Sequence, residues 1–137
     1  SSDLTKALKA KKFGGYLGQA FQLRDDILDY TTTSSTFKKP VLLDVKDGIY
    51  SGPLIFALQN DDNNHLHELV KMGKDLTQNQ LHEIENLVNH LGGVERAQKL
   101  ADQYTEKALA SLKKYWPDNE NRALIEQLTG RLLKRQY

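Results

Sequence analysis

Apolar residues recur at helical spacing along almost the whole chain, and no segment alternates apolar with polar side chains as a half-buried strand would. That pattern restricts the fold to an all-α class, a helical bundle. A first helix is predicted from 3 to about 30, with Leu4, Ala7, Leu8, Phe13, Leu17, Ala20, Phe21, Leu23, Ile27 and Leu28 on a broad apolar face. Six hydroxyl residues, 31–36, suit a loop. Asp44, Asp47 and Gly48 read as a turn, and Pro53 fits the first turn of a helix through Ile55 to Leu58. Asn63 or Asn64 can cap a helix ending near Gly73. Thr77 with Gln80 three residues on is a capping-box pattern, opening a helix that Gly92-Gly93 stops. A long helix from 94 to about 115 is broken at Trp116-Pro117. Asn119 or Asn121 starts a last helix carrying Leu124, Ile125, Leu128, Leu132 and Leu133. At 137 residues the chain suits one domain.

Within the first helix one stretch is unlike the others. Asp25, Asp26 and Asp29 stand on its last turns, with Asp25 and Asp29 stacked one turn apart. Like charges at that spacing cost a few tenths of a kcal/mol in an isolated helix, and no lysine beside them relieves it. Three acids next to an apolar face suggest a site for a hard cation or a proton. Gly14, Gly15 and Gly18 each cost up to ~1 kcal/mol relative to alanine inside a helix. Close approach of another helix, or of a bulky ligand, would account for them. Lys38 and Lys39, in the loop after the acids, either complete an anion site or are simply solvated.

The remaining chemistry is narrow. Nineteen basic and eighteen acidic residues give no net pull toward nucleic acid. The absence of cysteine excludes disulfides, thiol catalysis and cysteine-held metals. No nucleophile elbow, phosphate-binding glycine loop or dinucleotide fingerprint occurs. His65, His67, His82 and His90 lack chelating spacing and read as surface residues. Apolar runs fall far short of the ~20 residues that span a bilayer. With no secretion signal at the start, a cytoplasmic setting is the default expectation.

Gly18-Gln19-Ala20-Phe21-Gln22-Leu23-Arg24-Asp25-Asp26-Ile27-Leu28-Asp29, followed by Lys39-Pro40, Asp44 and Gly48, closely resembles the second aspartate-rich region of trans-prenyltransferases, the polyprenyl, geranylgeranyl and farnesyl diphosphate synthases. The resemblance implies a partial isoprenoid-synthase fold and head-to-tail condensation of isopentenyl diphosphate onto an allylic diphosphate, assisted by Mg²⁺. It implies Asp25, Asp26 and Asp29 as metal ligands, Lys39 and Lys38 on the allylic diphosphate, and Phe21 and Gln22 lining the site near the allylic substrate. Asp25, Asp26 and Lys39 would carry catalysis. A homodimer is implied, with a heterodimer as the other arrangement.

The chain also departs from that family. Its other acidic triad does not occur here; Asp61-Asp62 is followed by Asn63-Asn64 and does not fit. Leu42 and Leu43 replace a usual polar or glycine pair, Lys38 a common glycine, and Ser51-Gly52-Pro53 a common Thr-Leu-Pro. The expectation is a C-terminal piece of such a synthase, inactive alone. A non-catalytic partner subunit, or a helical interaction domain with a solvated acidic turn, are the alternatives.

Overall fold

The structure is a computed structural model that describes residues 2–31 and 42–133. Among the described residues the regular elements are all helical: α1 (Ser2–Thr31), α2 (Leu43–Lys46), α3 (Gly52–Gln59), α4 (His65–Lys71), a 3₁₀ turn (Gly73–Asp75), α5 (Gln78–His90), α6 (Gly93–Tyr115) and α7 (Glu120–Leu133). The all-α expectation holds, and the expected helices lie within a residue or two of their predicted limits. The chain divides into two compact units, Ser1–Arg24 with Lys99–Tyr137, and Asp25–Gln98.

In the first unit α1 meets α6 through side chains one would expect at a helix crossing. Tyr16 and Tyr104 lie with ring centroids 6.4 Å apart, and Arg24 Nη2 donates to Asp102 Oδ1 at 3.1 Å. Phe13 sets its edge against Trp116 at 5.9 Å, so the residue just after α6 packs on the middle of α1. Small residues on α6, Ala101, Ala108 and Ser111, are buried with Leu112. The last helix opens on Asn119, whose Oδ1 accepts from the Arg122 amide at 3.1 Å. That makes Asn119, not Asn121, the cap.

Two expectations fail here. Leu4 and Leu8 of α1 stand 63% and 58% exposed, and Leu124 and Leu128 of α7 both 53%. The apolar stripe is real, but no described element covers it. For Gly14, Gly15 and Gly18 the close approach of another helix falls and the bulky-ligand alternative stays open: a Cβ at any of them would meet nothing within 4 Å among the described residues.

The second unit holds a continuous core built from Tyr30, Val45, Leu54, Leu66, Leu81, Ile84 and Val88, with Leu76 closing one edge. Both α3 and α4 pack on α5, and α2 packs on the 3₁₀ turn. The predicted capping box opens α5: Thr77 Oγ1 accepts from the Gln80 amide at 3.2 Å, and Gln80 Oε1 accepts from the Thr77 amide at 2.9 Å. Gly92, at φ +79, lets the chain leave α5 in the left-handed conformation. The carbonyl of Leu91 is taken by Asn60 Nδ2 at 3.0 Å. The second glycine has a different role, starting α6 where there is no room for a side chain.

The start of α4 is capped by a residue that the sequence alone did not single out. Asn64 sits at the N-cap position with φ 60 and makes no side-chain cap bond. Asp61, buried, accepts from the His67 amide and from His67 Nδ1, both at 2.8 Å, while Asn63 Oδ1 accepts from the His65 amide at 3.1 Å. Burial works to raise the Asp61 pKa, but the amides of His67 and Leu66 and the His67 ring outweigh it and hold the carboxyl below its ordinary value. A depressed carboxyl stabilises the fold above its unfolded pKa of about 3.9 and loses that contribution as pH falls through the folded value. Asp61→Ala should cost about 1–2 kcal/mol at pH 7, the loss of a helix cap. Melts of both proteins from pH 5 to pH 3 should show the gap narrowing below about pH 4. A gap undiminished at pH 3 would remove the carboxylate from this role.

Candidate functional site

The three carboxylates fall on the last two turns of α1. Asp25 and Asp29 are exposed and Asp26 is half-buried. Acids at a helix C-terminus oppose the macrodipole, and the last turn of α1 carries no basic residue to offset them. What holds this turn is the residue between and beyond them. Ile27 and Tyr30 are buried, 7% and 3% exposed, and Tyr30 joins the core of the second unit, which fixes the helix end. Thr31 Oγ1 donates back to the Ile27 carbonyl at 3.1 Å.

A cavity of about 180 Å³ opens at this helix end, lined by Asp29 and Tyr30 from α1, Asp44 and Val45 from α2, and Leu42, Leu43, Ile49 and Ser51. Of the residues expected to form a site, Asp29 is in its wall. Asp44 stands there as well, brought in because α2 is a single turn ended by Gly48 at φ +75. Burial pushes the Tyr30 phenol up to about 12; its hydrogen bond with Ser51 works the other way, and Asp29, Asp26 and Glu85 add to the rise. Tyr30 is therefore a neutral hydroxyl throughout the physiological range.

Leu42 explains one departure from the family pattern. It lies at φ 59, in the left-handed region, although it is not glycine. The strain is of order 1 kcal/mol, and burial of the side chain (8% exposed) offsets it. The conformation is the one that a glycine at this position would adopt freely.

Carboxylate oxygens are the right donors for a hard cation. Among the described residues no group of three or more His, Cys, Asp or Glu side chains is placed to hold a metal ion unaided. The donor set fits Mg²⁺ in its usual mode, one or two carboxylates with water and substrate phosphate oxygens completing the shell. Phe21, half-buried, and Gln22, exposed, lie on α1 one turn before the acids. Lys38 and Lys39 lie outside the described residues, as does most of the hydroxyl-rich loop. The histidines are surface residues as expected, with carboxylate partners: His65 with Glu83, His67 with Asp61 and His82 with Glu85. Sequence reasoning gave no role to Asp44, Ser51 or Tyr30. The downstream order Lys39-Pro40, Asp44 was the one signal available for the first. No helix among the described residues is long and apolar enough to cross a membrane.

A family model described as polyprenyl synthetase matches residues 1–91, which contain the whole acidic stretch. The chain is 32% identical over 139 residues to the mitochondrial solanesyl-diphosphate synthase 1 of Oryza sativa subsp. japonica, covering 94% of this chain and 30% of that protein. The crystal structure of geranylgeranyl pyrophosphate synthase from Lactobacillus brevis, complexed with citrate, superposes with a TM-score of 0.84 at 34% identity, over 93% of this chain and 41% of that one. Polyprenyl synthase from Caulobacter crescentus, complexed with calcium and isoprenyl diphosphate, superposes with a TM-score of 0.81 at 27% identity, over 98% and 41%. The chain thus spans about a third of the length of the curated relatives it matches.

Proposed function

Because the chain belongs to the polyprenyl synthetase family, we propose that it forms the part of a trans-polyprenyl diphosphate synthase that holds the allylic diphosphate through Mg²⁺. In this reading Asp25, Asp26 and Asp29 supply carboxylate oxygens, and Lys39, with Lys38, neutralises diphosphate oxygens. Phe21 and Gln22 lie near the allylic substrate, and the open glycine surface of α1 leaves room for its isoprenoid chain. Bound Mg²⁺ would supply Lewis-acid stabilisation of the leaving diphosphate. Isopentenyl diphosphate and the other acidic triad belong to sequence outside these 137 residues. The observation that carries the reading is the placement of three acids on the terminal turns of a helix whose end is buried, inside the segment that the family model matches.

Two measurements test it. Incubated alone with Mg²⁺, an allylic diphosphate and radiolabelled isopentenyl diphosphate, the chain should make no product, since it holds one of two acidic arms. Robust product would overturn that division of labour. Mg²⁺ and inorganic diphosphate together should raise the melting temperature in a concentration-dependent way, as binding to the folded state requires. A melt that is indifferent to both would leave the acidic turn as a solvated surface.

A further inference from the structure

The near-balance of basic and acidic residues conceals a division between the two compact units. The unit made of Ser1–Arg24 and Lys99–Tyr137 carries thirteen basic against six acidic residues, and Asp25–Gln98 carries six against twelve. Part of the first unit's surplus gathers where α1 meets the end of α6. Lys9 from α1 and Lys114 from α6 both stand over the Tyr115 ring, each with Nζ 5.2 Å from its centroid. Lys107 lies over Tyr104 at 5.7 Å and over Tyr16 at 6.0 Å. A ring attracts an ammonium group without neutralising it, so the positive charge remains on the surface. Lys11, Lys12 and Lys113 are exposed on the same two helices.

Among these cations stands an apolar side chain. Leu8 is 58% exposed, and Lys11 and Lys12 follow it at the three- and four-residue spacings that share a helix face. Helical side chains lean toward the N-terminus, which brings both lysine stems beside Leu8. A nucleic acid would engage the charges and leave the leucine in water. A leaflet of anionic phospholipid presents both things this face can use, acyl carbon for the leucine and phosphate above it for ammonium groups on flexible stems. We propose that this face of α1 docks on an anionic phospholipid surface. Leu8 enters the acyl boundary, Lys11 and Lys12 meet headgroup phosphates, and the lysines around Tyr115 add to the attraction. Docking there needs nothing from the acidic turn, and its test stands whether or not that turn binds metal and diphosphate.

The experiment uses the complete synthase containing this chain and vesicles of phosphatidylcholine with roughly 30% phosphatidylglycerol, read by flotation. The protein should float with these vesicles at low salt and stay behind with phosphatidylcholine alone. It should lose most of its binding at about 1 M salt, where the Debye length falls to about 3 Å. Lys11→Ala combined with Lys12→Ala should weaken binding by roughly twenty-fold, about five-fold for each charge. Leu8→Gln should weaken it by roughly ten-fold while leaving any binding to a DNA duplex unchanged. All three side chains are exposed, so both variants should keep the wild-type melting temperature. No flotation of the intact synthase at low salt would overturn the proposal, the rest of the synthase then covering the face. Equal binding to neutral vesicles would overturn the role of the lysines. Binding to duplex DNA as tight as to the vesicles, with Leu8→Gln without effect on either, would make the face a general polyanion surface and overturn docking on lipid.

Discussion

Asp25→Ala in the complete synthase is expected to lower kcat by roughly 10²–10³-fold, several kcal/mol of leaving-group stabilisation at about 1.4 kcal/mol per decade. Its melting temperature should be unchanged or slightly higher. The second half of that statement gives the test its force. Asp25 is exposed, stands one turn from Asp29, and lies toward the C-terminal end of α1, so its removal relieves like-charge repulsion worth a few tenths of a kcal/mol and an unfavourable dipole contact. A residue kept for folding would show the opposite pairing of effects. Steady-state kinetics and a thermal melt on one preparation separate the two. Wild-type turnover would remove Asp25 from the metal site, and a large drop in melting temperature would make the lost activity uninformative.

Gly93→Ala should destabilise the fold by about 2–3 kcal/mol net and lower the melting temperature by about 10 °C. A Cβ at this position would run into the carbonyl oxygen of Pro53, with Val88 Cγ1 at 3.0 Å and the Ala57 Cβ at 3.1 Å. The obstruction is backbone at the first turn of α3, which cannot rotate out of the way, and the two side chains around it are fully buried. The gain in helix propensity from glycine to alanine, at most ~1 kcal/mol, works against this cost and does not cancel it. Gly92→Ala is the contrast. There is open space around Gly92, and its penalty, about 1 kcal/mol, comes only from φ +79. A melt in which Gly92→Ala is the more damaging of the two would refute the steric account.

The helices were legible because their signals are local. Thr77 and Gln80 announce α5 from three residues apart, Pro53 sits in the first turn of α3, and Trp116-Pro117 ends α6. The acidic motif was legible for the same reason, since residues four apart on a helix share a face. What the sequence hid is whatever depends on a partner elsewhere. Asp61 reaches six residues forward to cap α4, a span outside the capping patterns. Asn89 finds Tyr30 across 59 residues, and nothing in the local sequence marks either of them. Periodicity also says which residues share a stripe without saying whether anything covers it, and so Leu4, Leu8, Leu124 and Leu128 were expected inside. The cavity beside Asp29 depends on a one-turn helix and on a leucine in the left-handed region. Neither can be inferred from residue spacing.

The three open glycines of α1 bear on how firmly the acids are held. Gly14, Gly15 and Gly18 cost together up to ~3 kcal/mol against alanine, and no described neighbour makes use of the space they leave. The amides of this stretch are expected to exchange sooner than those of the buried turn at Ile27 and Tyr30. The acidic end of α1 is then insulated from fraying at the start of the helix, because the weak segment lies between them. Alanine at all three positions would join the two ends into one cooperative rod, and disturbances at the N-terminus would travel to the carboxylates.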